Sequence, residues 1–252
     1  MSYTGDGTAG MWGPNGWDKD VSVHQFTAVF SDEQTVSLLC DMAVGSVEQC
    51  TQYGQLFNEA LGRVPSYARG GTQGLHMRPG GWSGVSNPDE QLNIVLMPGD
   101  DNVAGCAAWG GGGVITLCVG VGTDVQEKGN LEELFLHEGA HVTLDPYILH
   151  TDTWGCAMDE DQDFISDYAK EHPGTEDVSE SIVPWHAWYY SQHRVDPDII
   201  GKISATIPAR LEVLVEFLTS ETLRQDIADI VKNLKSEIQT EPHVIYNDPL
   251  SL

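Results

Sequence analysis

The sequence predicts an α+β domain, with a small sheet and one central helix packed on a mostly helical C-terminal part. Three observations predict it. Strand-like runs fall at VSVHQFTAVF (21–30), LNIVLM (92–97) and GGVITLCVGV (112–121), by alternation or by β-branched content. A helical pattern, LEELFLHEGAHVTLD (131–145), follows the last two. The final third keeps apolar residues at a spacing near 3.6, in IPARLEVLVEFL and in the face Leu223, Ile227, Ile230 and Leu234.

Taken in order, residues 1–20 read as irregular, because Gly, Pro and Asn cluster there. Residues 21–30 alternate and read as a strand. Ser31 with Gln34 three residues on has the form of a capping box, and the pattern after it predicts a helix through TVSLLCDMAV. After Gly45-Ser46 it resumes through VEQCTQYGQLFNEAL, giving one interrupted helix or two short ones. Residues 69–91 are a loop by composition. Asp145-Pro146 should break the histidine-bearing helix. In PGTEDVSESIVPWHAWYY (173–190), Pro173 and Gly174 make a turn and Thr175 suits an N-cap. Val178, Ile182, Trp185 and Tyr189 then share a face, with Pro184 expected to kink or end the helix. The end, TEPHVIYNDPLSL, reads as an extended tail.

The chain has 252 residues, enough for one large domain or two closely packed subdomains. Its 12 basic and 38 acidic residues give a formal charge of −26, which argues against nucleic acid and anionic membranes as partners. No secretory signal is visible, and no apolar run approaches a bilayer-spanning length. Cys40 and Cys50 lie close together, and Cys106 and Cys118 flank AAWGGGGVITL. Two local disulfides with Cys156 left over would suit a secreted protein, and five buried thiols would look the same.

The chemistry concentrates at His137-Glu138-x-x-His141. Residues i and i+4 of a helix lie on one face, so both histidines can aim at one metal ion. Glu138, turned about 100° from His137, can stand beside the ion as a general base for its water. A helix that merely carries two histidines is the competing reading. A catalytic zinc also needs a third ligand. The pattern H-E-x-x-H-x-x-G-x-x-H fails, since Leu144 and Tyr147 occupy its last two defined positions. His150 is a weak candidate beyond the proline. Glu176 is the better one, four residues before Glu180 on a shared helix face. Glu180 can then accept a proton from the outer nitrogen of a ligand histidine.

H-E-x-x-H on one helix with E-x-x-x-E on a later one resembles the gluzincin zinc peptidases. The stretch SDYAKEHPGTEDVSES resembles in particular short gluzincin domains similar to lethal factor, in which a tyrosine precedes a helix of form E-x-x-A-E. Ser179 stands where alanine is usual. The resemblance covers residues 131 to about 185. It implies a zincin-like fold, one catalytic Zn2+ held by His137, His141 and Glu176, Glu138 as general base and Glu180 behind a ligand histidine. It implies Tyr168 as the hydroxyl that steadies the oxyanion, with His186, Tyr189 and Tyr190 as alternatives. GTED also allows Asp177 as the third ligand, as in zinc peptidases carrying G-T-x-D. There a Y-G pair follows the aspartate, whereas V-S-E-S follows here.

DEDQDFISD (159–167) is not an EF-hand, since Phe164 and Lys170 occupy the positions that need glycine and glutamate. An irregular Ca2+ site or a solvated acidic loop remains. AWGGGGV (108–114) lacks the lysine and spacing of a phosphate loop and suits a cleft rim. Trp185 and Trp188 read as core. The expectation is therefore a single peptidase domain over 1–252. An upper part, 1–145, carries the sheet and histidine helix, and a helical lower part, 146–252, carries the third ligand. An edge strand at 112–121 would bind a peptide or protein substrate by main-chain pairing. The alternatives are a non-catalytic binding protein of the same fold and a zinc hydrolase of a non-peptide amide.

Overall fold

The computed structural model describes residues 1–11, 19–31, 35–65, 68, 92–99, 108–111 and 114–219. The fold is α+β. Strands β1 (Ser2–Met11), β2 (Lys19–Val29), β3 (Thr35–Asp41), β4 (Leu92–Met97), β5 (Ala108–Gly111) and β6 (Val114–Cys118) form one sheet in the order β1-β2-β3-β4-β6-β5. β1, β2 and β3 pair antiparallel, β3-β4 and β4-β6 parallel, and β6-β5 antiparallel. The parallel step from β3 to β4 needs a long crossover, and helix α1 (Val47–Arg63) lies within it. β5 and β6 pair in register from Ala108 with Leu117 to Gly111 with Val114.

Successive strand residues face opposite ways. Phe26, Leu38, Cys40, Ile94, Leu96, Ile115 and Leu117 enter the main core with the helices. Val23, Leu39, Val95, Met97 and Cys118 are buried in a second cluster. This corrects the helix expected over TVSLLCDMAV. Residues 35–41 form a central strand buried on both faces, and such strands read as continuous apolar runs rather than alternating ones. The capping box belongs one segment later. Ser46 accepts from the Gln49 backbone N–H while Gln49 accepts from the Ser46 N–H, opening α1. The first residues are also not irregular. They form β1, the outermost strand, which pairs through its backbone with β2 and has a register shift between Tyr3 and Gly5.

The expected strand at 112–121 stops at Cys118, and Val119 opens α2 (Val119–Glu127). It is not an edge either: β6 lies between β4 and β5, and among the described residues β5 is the last strand on that side. Helix α3 (Leu131–Thr143) packs against α1, β5 and β6 on one side and α7 (Asp177–Tyr190) on another. Gly139 permits this, because a Cβ there would fall 2.4 Å from the Ala68 carbonyl oxygen. Short helices α4 (Asp145–Ile148), α5 (Asp152–Asp161) and α6 (Asp167–Glu171) link α3 to α7, and α8 (Pro197–Thr206) and α9 (Pro208–Thr219) follow.

Glu176, not Thr175, occupies the N-cap position of α7, and the helix continues through Pro184. Val178, Ile182 and Trp185 are fully buried, but Tyr189 is exposed. One core cluster runs from Phe26 to Leu218, so residues before and after 145 share it. Cys40 and Cys50 form a disulfide joining β3 to α1. Cys118 is also disulfide-bonded, and Cys156 is free and exposed. No helix among the described residues is long and apolar enough to cross a membrane. The expected loop at 69–91, helix at 223–238 and C-terminal tail lie outside the described residues.

Candidate metal centre

Helix α3 sets His137 and His141 one turn apart, with ring centroids 4.9 Å apart and planes at 84°. Their Nε2 atoms are 3.2 Å from each other. Glu176, at the start of α7, brings Oε2 to 3.1 Å from His141 Nε2 and 3.5 Å from His137 Nε2. Three donors thus converge on one point. Ligands at about 2.0–2.1 Å around a tetrahedral ion stand about 3.3–3.4 Å apart, so the spacing and donor set fit a metal ion. Among the described residues this is the one group of three or more His, Cys, Asp or Glu placed to hold one.

The outer ring nitrogens are also engaged. His137 Nδ1 lies 3.2 Å from Glu180 Oε1, and Ser166 Oγ donates to Glu180 Oε2 at 2.5 Å. His141 Nδ1 lies 2.6 Å from Asp145 Oδ2 and 2.8 Å from Ser179 Oγ. Ser179 in turn donates to Asp145 Oδ1 at 3.3 Å. A carboxylate on the outer nitrogen fixes the tautomer that leaves Nε2 free to bind metal. Sequence reasoning missed Asp145, which stands four residues after His141, the spacing that already marked His137 and His141 themselves.

Burial of His137 disfavours its charged form, but Glu176 and Glu180 outweigh this and hold it up at about 9. Burial acts the same way on His141, and Asp145 and Glu176 raise it to about 10. Glu176 is pushed up by burial but drawn down to about 2 by the two histidines. Glu138 is 6% exposed, and its charge acts on His137, His141 and Tyr168, which places it beside the cluster. Tyr168, on α6, is half-exposed. Burial and the carboxylates of Glu176, Glu180 and Glu138 raise its pKa.

The other sequence candidates lie elsewhere. Asp177 is fully buried and turned away, accepting from Trp154 Nε1 at 2.9 Å and from Arg210 Nη1 at 2.5 Å. That ion pair takes it out of the reading as third ligand. His150 is exposed beyond α4. His186 sits ten residues after Glu176, about 15 Å along the helix axis, and its ring meets Tyr190. Tyr189 and Tyr190 pack against Trp185 further along. The acidic run 159–167 assembles no further metal group among the described residues. Its Asp161 is taken by Arg210 and the Ala209 N–H. Comparison with known proteins finds no matching family model, no matching curated protein and no matching solved structure.

Proposed function

We propose that this protein is a zinc-dependent peptidase of zincin-like fold. The observation that carries the reading is the convergence of His137 Nε2, His141 Nε2 and Glu176 Oε2, with the buried Glu138 at their side. Two imidazoles and one carboxylate with tetrahedral spacing suit zinc. When bound there, zinc supplies Lewis acidity toward a water and a substrate carbonyl.

The chain's own groups do the rest. Glu138, one residue from a ligand, takes the proton of the attacking water and returns it to the leaving amine. The Tyr168 phenol, like any tyrosine, is protonated at neutral pH, and burial and the carboxylates around it only reinforce this, so it can donate to the carbonyl oxygen as negative charge develops there. Glu180, Asp145 and Ser179 hold the two imidazoles in place. Strand β5, the last strand on its side of the sheet among the described residues and packed against α3, can align an extended peptide by main-chain pairing.

Elemental analysis of the purified protein tests the metal. About one zinc per chain is expected, lost in Glu176→Ala. Iron or manganese in its place would overturn the zinc assignment. A peptide-library cleavage assay tests the activity, with Glu138→Gln expected to retain zinc and lose cleavage. Zinc without cleavage in the wild type would favour the non-catalytic binding reading.

A further inference from the structure

A groove of about 470 Å³ adjoins the metal cluster, with Glu133 and His137 from the first half of α3 and Glu180 from α7 among its lining residues. Val125, Leu134, Ile165, Val183 and Pro184 also line it, which makes much of its wall apolar. No lysine or arginine among the described residues lines it. Two carboxylates do, Glu180 and Glu133. Glu180 is committed, to His137 and to Ser166. Glu133 is exposed and makes no ion pair with another described residue, whereas its neighbour Glu132 pairs with Arg63. Glu133 lies one turn before His137, about 6 Å along the axis, a span that the stem of a lysine or arginine covers.

Apolar walls for a methylene stem and an unpaired carboxylate one turn from the reacting centre match a long cationic side chain. The second lining carboxylate, Glu180 beside His137, disfavours an acidic one. We propose that this groove seats a lysine or arginine side chain of the substrate peptide, with Glu133 selecting its charge. The proposal rests on the peptidase reading and names the substrate class of that site.

The test uses zinc-loaded Glu138→Gln protein and decapeptides in which a single arginine or leucine is moved along an otherwise neutral sequence. Titration calorimetry should show one position where arginine binds about tenfold tighter than leucine, the scale of one charge-assisted contact. Adding Glu133→Gln should bring that ratio close to one, and Glu133→Lys should reverse it. Glu132→Gln should leave it in place. A ratio that survives Glu133→Gln, or the absence of any arginine-preferring position, overturns the proposal. Cleavage of the same peptides by the protein with Glu138 intact is read separately. Glu133-dependent binding without cleavage keeps the groove assignment and removes the peptidase reading.

Discussion

Each imidazole of the cluster is gripped at its outer nitrogen by a carboxylate, Glu180 for His137 and Asp145 for His141. Losing such a partner typically weakens metal binding about 10–100-fold. Asp145→Ala and Glu180→Gln are each expected to fall in that range by chelator competition, with the ligand atoms themselves unchanged. Ser179→Ala should cost less, because the Asp145 bond remains. Equal affinity in wild type and Asp145→Ala would show that the carboxylate does not orient the ring. The pair His137 and His141 was legible in the sequence because a helix converts fixed spacing into a shared face, and Glu176 because it stands four residues before Glu180. Asp145 was not, because Pro146 marked the helix end and drew attention from the residue before it. The E-x-x-x-E pattern and the residues after the aspartate favour Glu176 over Asp177 and leave Asp177 as an alternative. Arg210, 33 residues away, claims Asp177, and only the tertiary fold brings the two together.

The helix that carries the histidines was readable from its period, and so was α9. Two of the misread segments failed for different physical reasons. Residues 35–41 are buried on both faces, so their alternation vanishes, and Ser31-x-x-Gln34 supplied a false helix start. Residues 2–11 pair at the outside of the sheet through backbone groups, which composition does not reveal. The true start is at Ser46, whose side chain caps α1. Ser46→Ala is therefore expected to lose about 1 kcal/mol in urea unfolding. Ser31→Ala, at an exposed turn, should stay within about 0.5 kcal/mol. Equal losses at the two positions would contradict the placement of the cap. The disulfide between Cys40 and Cys50 fastens the same helix to β3.

Across the whole molecule, the sheet supplies the layer on which α3 packs, and the helices after residue 145 bring Glu176 to the histidines. The hold among those later helices rests partly on charge. Only 12 of the chain's residues are basic against 38 acidic, yet Arg210 is spent in the interior, fully buried. From α9 its guanidinium reaches Asp161 at the end of α5, the Asp163 carbonyl and Asp177 in the first turn of α7. Asp177 adjoins Glu176, so this clamp backs the turn that presents Glu176 to the two histidines. Removing one partner of a buried ion pair leaves a charge without compensation and typically costs about 3–5 kcal/mol. Arg210→Met, which keeps much of the side-chain volume, is expected to lose that much in urea unfolding. Two buried carboxylates, Asp161 and Asp177, would be left without their cation. Zinc affinity should fall with it, because the first turn of α7 loses its anchor while His137 and His141 keep theirs. Full zinc affinity in a destabilised Arg210→Met protein would show that the clamp serves the core alone and that Glu176 is held by α3–α7 packing.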